Sequence, residues 1–169
     1  MRLSPAARKL ALTVHLASSV GWFGGVLAAL GLAVVGLASD DPQRVRAAYI
    51  AMEATAWYVL VPLSFASLVT GIVQSLGTVW GLFRHYWVVS KLAINLIATA
   101  ILLLYTQTLG DLAALAADPT VPAADLGDLR DPSPLLHASA ALVLLAVAMV
   151  LAVYKPRGLT RYGRRKLTL

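Results

Sequence analysis

Four long apolar runs dominate this sequence of 169 residues and leave few alternatives for its fold. They cover residues 10–37, 47–76, 86–109 and 135–154. A helix needs about 20 mostly apolar residues to cross the hydrocarbon core of a bilayer, and each run is long enough to do so. The sequence therefore predicts an all-α bundle of four transmembrane helices, folded as a single integral membrane domain.

The composition agrees with a membrane protein. The chain is 59% hydrophobic and only 13% charged, whereas a soluble domain has about 25% charged residues. The first apolar run is too long for a secretory signal, so we expect an uncleaved first helix. The absence of cysteine excludes disulfides and thiolate metal sites, and it leaves the redox compartment undetermined.

The charged residues are divided between the two sides of the predicted bundle. The N-terminus, the connection 77–84 and the tail carry only basic residues. The acidic residues lie in or beside the other two connections, and they are Asp40, Asp41, Glu53, Asp111, Asp118, Asp125, Asp128 and Asp131. Basic residues stay on the cytoplasmic side of short membrane loops. This pattern predicts a multi-pass protein of the cell (inner) membrane with both termini cytoplasmic. We attribute the net charge of +6 to basic residues that interact with anionic lipid headgroups, and not to binding of nucleic acid.

Small residues recur every four positions on the first two predicted helices. They are Ala17, Gly21, Gly25 and Ala29 on the first and Ser67, Gly71 and Ser75 on the second. Such rows let helix backbones approach closely, within the chain or with a membrane partner or a second copy. Pro62 is expected to kink the second helix, because proline cannot donate a backbone hydrogen bond.

Polar residues inside the predicted spans form an inner cluster. His15 and Lys91 each lie about five residues, or about 7 Å, from the cytoplasmic ends of their helices, so they share one depth. The predicted cluster consists of His15, Ser18, Ser19, Trp22, Thr70, Gln74, His85, Lys91, Asn95, Thr99 and Thr106. Intramembrane polar groups face other helices or a ligand.

Two interpretations of the inner cluster stay open on residue types alone. In the first, Lys91 extends to the headgroups and His15 bonds a neighbouring helix. In the second, the cluster binds an anionic cofactor or a haem, with histidine as an axial ligand of iron and lysine paired with a propionate. A second, outer cluster suits a metal, a proton relay or ordinary solvation of helix ends, and it contains Glu53, Tyr58, Gln107, Asp111 and His137.

Two short motifs resemble known membrane families. The run His15-Leu-Ala-Ser-Ser-Val-Gly-Trp22-Phe-Gly24-Gly25 is similar to the H-x6-W-x-G-G opening of CopD-type copper-resistance proteins and HemJ-type protoporphyrinogen oxidases. Thr70-Gly71, an aromatic-rich turn and Trp87-Val-Val-Ser-Lys91-Leu resemble a second motif of the same families. The resemblance covers about residues 10–105 and implies that His15 and Lys91 are tied to haem b binding. The chain lacks the arginine that HemJ-like proteins have after the glycines.

The resulting expectation is a membrane protein that binds haem b or a related tetrapyrrole, with porphyrinogen oxidation or electron transfer as the chemistry if it is a catalyst. The cofactor-binding residues are expected to be His15, Lys91, Trp22, Ser19, Gln74, Asn95 and His85, with His15 as the metal ligand. The alternatives are a non-catalytic membrane subunit or assembly partner that packs through its glycine faces, and a copper-related membrane protein.

Overall fold

A computed structural model describes residues 3–122, 127 and 129–166, and these form an all-α fold. The elements are α1 (Pro5–Ala38), α2 (Pro42–Thr55), a π-helical turn (Ala56–Leu60), α3 (Val61–Gly77), α4 (Tyr86–Ala117), α5 (Ser133–Tyr154) and α6 (Arg161–Arg165). Four segments are long and apolar enough to cross a membrane: α1, the continuous segment from α2 to α3, α4 and α5. The predicted four-helix fold is confirmed.

The four spans form a closed bundle. The second span packs against both α1 and α4, and α5 contacts α1 and α4 on the other side. We call the half with the start of α1, the end of α3, the start of α4 and the end of α5 the terminal half. The opposite half, with the connections that follow α1 and α4, is the distal half. That the terminal half is cytoplasmic stays a prediction.

Local sequence signals mark the starts of α1 and α2. Ser4 and Asp41 accept hydrogen bonds from the first turns of α1 and α2, each just before a proline. The third span continues beyond its predicted end at residue 109, because α4 extends to Ala117 and buries Ala113 and Ala116 in a packed face. The helix stops before Pro119. The sequence also predicts a helical turn around residues 123–129 in the connection that follows, and that stretch lies mostly outside the described residues.

The α-helical hydrogen-bond pattern of the second span changes to a π-helical turn just before Pro62. The π-helical turn ends immediately before Val61, whose N–H bonds to the carbonyl of Ala56. Pro62 has no N–H for the carbonyl of Tyr58 and its ring crowds that carbonyl, so an ordinary α-helix cannot continue unchanged there. The π-helical turn accommodates the proline within one continuous span.

The C-terminal tail folds back onto the connection between α3 and α4. The N–H of Tyr86 donates to the carbonyl of Gly158 at 3.3 Å, and the N–H of Thr160 donates to the carbonyl of Arg84 at 3.0 Å. Gly163 lies so close to the carbonyl of Arg84 that a Cβ atom would clash with it. The tail therefore covers the terminal end of the bundle.

The glycine row of α1 packs inside the bundle, as predicted. A Cβ atom on Gly25 would lie 2.8 Å from Cδ2 of Leu60, and one on Gly21 would lie 3.3 Å from Cδ1 of Leu63. Gly24, the neighbour of Gly25 in sequence, has no atom within 4 Å of the same position. The second span of the same chain thus occupies this row.

We expect Gly25→Leu to lower the free energy of unfolding by about 1–3 kcal/mol, because the larger side chain must displace Leu60. Gly24→Leu is the matched control, with the same substitution one position away in open space. Thermal unfolding in detergent, followed by circular dichroism, measures both variants. Equal stability of the two variants would contradict the packing of α1.

The orientation of the bundle is tested by single cysteines, since the chain has none of its own. In intact cells we expect a membrane-impermeant maleimide to label Asp125→Cys, and to label Arg161→Cys only after permeabilisation, because the positive tail is retained in the cytoplasm. Labelling of Arg161→Cys but not Asp125→Cys in intact cells would reverse the predicted topology.

Candidate functional site

His15 lies at the contact of α1 with α3, in the terminal half. Its Nδ1 is 3.0 Å from Oγ1 of Thr70. The Thr70 hydroxyl has two carbonyl acceptors, Ala66 at 2.5 Å and Ser67 at 3.3 Å. With its one proton directed to a carbonyl, its oxygen accepts from Nδ1–H of His15. In a neutral imidazole, a proton on Nδ1 leaves Nε2 with a free lone pair. The hydrogen bond thus fixes both the orientation of the ring and the tautomer that binds a metal through Nε2.

Gly71 provides the space for this imidazole. A Cβ atom at position 71 would lie 3.2 Å from Cε1 of His15, which is tighter than ordinary van der Waals contact. The imidazole of His15 therefore packs against the backbone of α3 at Gly71. The small-residue row of the second span, inferred from sequence as a helix-packing face, here receives a polar side chain from α1.

A chain of polar side chains crosses three helices beside His15. The hydroxyls of Ser19 and Ser67 are 2.9 Å apart, and Nδ2 of Asn95 donates to Oγ of Ser67 at 3.2 Å. Oδ1 of Asn95 and Oγ1 of Thr99, one turn apart on α4, are buried without a hydrogen-bond partner in the described part of the chain. Buried polar atoms are normally satisfied, so this position suits a ligand or an ordered water.

Lys91 lies on α4 near the same site. It is one turn before Asn95 on this helix, and its Nζ is 5.8 Å from the centre of the Trp87 ring. Within residues 3–122, 127 and 129–166 it forms no ion pair. All acidic residues in these ranges belong to the distal half, so an external anion is the available partner for the ammonium group.

The other three predicted site residues, Gln74, Trp22 and His85, lie outside the chain of hydrogen-bonded side chains beside His15. Nε2 of Gln74 donates to the carbonyl of Ala11 at 3.0 Å and joins α3 to α1. Trp22 is buried in the apolar core with Val26. His85 lies in the connection before α4, where its Nδ1 donates to the carbonyl of Trp80 at 2.8 Å. These three side chains do not join the hydrogen-bonded chain around His15.

The outer cluster does not assemble as one site. Tyr58 is 82% exposed, and Gln107 and Asp111 are also exposed. His137 instead stacks on Tyr105, with ring centroids 3.9 Å apart. Among the described residues, no group of three or more His, Cys, Asp or Glu side chains could hold a metal ion.

The sequence did not reveal two contacts, which are the link that Ser67 makes between Ser19 and Asn95 and the stacking of Tyr105 on His137. Ser67 joins Ser19 to Asn95, but its sequence signal was that of a small residue in a packing row. Tyr105 precedes the buried Thr106 on α4, and only the pairing of α4 with α5 brings it to His137.

Neither a protein-family model nor a curated protein nor a solved structure matches this chain. The geometry around His15 is therefore the main basis for proposing a function.

Proposed function

We propose that this chain is an integral membrane protein that binds haem b, or a related tetrapyrrole, in the terminal half of its bundle. The observation that carries the proposal is the hydrogen bond from Nδ1 of His15 to Thr70, which leaves Nε2 as a free, oriented donor atom. Histidines that bind metals commonly have such a partner on the second ring nitrogen. Among the described residues Nε2 has no side-chain hydrogen-bond partner, and the other hydrogen-bonding contact of the ring is with the backbone of Ser67.

The chemistry of the surrounding residues fits a haem. His15 would hold the iron, and the ammonium of Lys91, which forms no ion pair within the described residues, would bind a propionate. Thr70 keeps the imidazole in its metal-binding tautomer, and Gly71 leaves room for the ring. Bound haem would supply one-electron chemistry, which is the basis for electron transfer or porphyrinogen oxidation as the reaction. The CopD-like and HemJ-like motifs select His15 and Lys91 independently.

A titration tests the proposal on the purified protein. Hemin added to the protein in mild detergent should give a saturable difference spectrum that ends at one haem per chain. A linear increase without saturation, equal to that of detergent alone, would mean that the pigment only partitions into micelles and would overturn the proposal.

The same titration tests the role of Lys91. Lys91→Met keeps the aliphatic stem and removes the charge, so we expect the affinity for hemin to fall about tenfold through loss of one charge-assisted hydrogen bond. Lys9→Met is the control, because Lys9 is an exposed lysine near the start of α1. An equal loss in both variants would show a general charge effect and contradict the assignment of Lys91.

The second candidate function is a non-catalytic subunit that packs against another membrane protein. The observation that favours it is the open face of α1, where a Cβ atom added to Gly24 or Gly31 would have no other atom within 4 Å. A partner helix could approach there, since the row with Gly21 and Gly25 is already occupied. This candidate takes precedence if the hemin titration fails.

A further inference from the structure

A cavity of about 310 Å³ lies in the bundle away from His15. All four spans line it, from Trp22 near the middle of α1 to Pro134 at the start of α5. Neither His15 nor Lys91 is among its lining residues. It is therefore a separate site from the one proposed for haem. Its volume is about twice that of an apolar cavity that accommodates benzene, about 150 Å³.

The cavity is apolar except at its distal end. Its lining is mostly aliphatic, and the polar side-chain atoms other than the Trp22 indole belong to Tyr105 and His137. These two rings stack with an interplanar angle of 14°. The Tyr105 hydroxyl is 2.8 Å from Oγ of Ser133. A ligand would therefore have an apolar body and a polar group at one end.

The hydrogen bonds of His137 determine what that polar group must be. Nδ1 lies 2.9 Å from the carbonyl of Ser133. A carbonyl oxygen can only accept, so Nδ1 carries the proton. In the neutral ring, Nε2 is then an acceptor, and it has no partner within the described chain. The matching ligand group is a donor, such as a hydroxyl.

Access to the cavity is from the bilayer. Ile101 of α4 lines the cavity and is 44% exposed. Ala140 and His137 of α5 also line it and are exposed. In a membrane-spanning bundle, an exposed side chain in the middle of a span, such as that of Ile101, faces lipid. A lipid-soluble molecule can therefore enter between α4 and α5 without crossing water.

We propose that this cavity binds a lipophilic phenol, whose hydroxyl donates to Nε2 of His137 and whose apolar body fills the space towards Trp22. The ring of such a ligand would lie beside the aromatic rings of Tyr105 and His137, and its O–H supplies the donor that His137 lacks. An acyl chain of a lipid fits the apolar part but provides no hydroxyl.

The test compares two probes that differ only in the donor, 4-octylphenol and its methyl ether 4-octylanisole. Calorimetric titration of the full-length protein in phosphatidylcholine nanodiscs should give about tenfold tighter binding of the phenol, the effect of one neutral hydrogen bond. Empty nanodiscs measure partition into lipid. Equal affinities would show that the cavity takes any apolar chain, and no binding above empty nanodiscs would show that it takes neither probe. Both results overturn the proposal.

Two variants and a control complete the experiment. His137→Phe keeps a ring against Tyr105 but removes the acceptor, so the phenol should lose its advantage while the affinity for the ether stays the same. Ala141→Leu narrows the cavity and should weaken both probes. Tyr58→Phe removes a polar atom from a side chain that is 82% exposed and should change neither. If His137→Phe preserves the preference for the phenol, the assignment of His137 is wrong, whether or not Ala141→Leu folds.

Discussion

Replacing His15 with alanine is expected to abolish the tetrapyrrole absorbance of the purified protein, whereas His137→Ala should leave it intact. His15 has a free Nε2 in the terminal half. His137 stacks on Tyr105 in the distal half and lines the apolar cavity, which His15 does not reach. Both variants remove one imidazole, so they form a matched pair. The haem content per chain, measured as the pyridine haemochrome, gives the result.

A second measurement separates loss of the ligand from loss of the fold. Imidazole added to His15→Ala should restore part of the absorbance, because the vacated space admits a free ligand for the iron. Size-exclusion chromatography should show the same elution volume for wild type and both variants. A well-folded His15→Ala protein with full haem content would contradict the assignment of His15.

Gly71→Leu is expected to have an effect nearly as large as that of His15→Ala, although it leaves His15 in place. The new side chain must occupy the space of the imidazole, since even a Cβ atom lies 3.2 Å from Cε1. The ring would be displaced and its hydrogen bond to Thr70 broken. We therefore expect hemin to bind without saturation in the same titration.

Gly31→Leu is the control for this substitution. It adds the same side chain to a helix in the bundle, at a position with no atom within 4 Å of a Cβ. It should keep wild-type affinity for hemin. If Gly71→Leu also keeps that affinity, the imidazole does not lie on α3 as described and the site geometry is contradicted.

The four spans and the shared depth of His15 and Lys91 could be predicted because both depend on local features of the sequence. Apolar length alone identifies a transmembrane helix, and depth along a helix follows from a constant rise per residue. His15 and Lys91 could therefore be placed at one level without knowing how the helices pack.

The remaining contacts depend on how the helices rotate and pair. Trp22 shares a helical face with His15, but it lies seven residues, or about 10 Å, further along α1. That distance takes its side chain from the polar cluster to the apolar core. Spacing on one helix could not reveal that Ser67 joins Ser19 to Asn95. Spacing also could not reveal the hydrogen bond from the N–H of Thr160 in the tail to the carbonyl of Arg84. Both this bond and the contacts of Ser67 join segments that are far apart in sequence.

The absorption spectrum of the wild-type protein tests haem binding most directly. Protein purified in mild detergent from haem-replete cells should show a Soret band, with sharp α and β bands after reduction by dithionite. The pyridine haemochrome should then identify haem b at about one per chain. Protein that shows no tetrapyrrole absorbance, even after the cells are supplemented with haem and its precursors, would contradict the account.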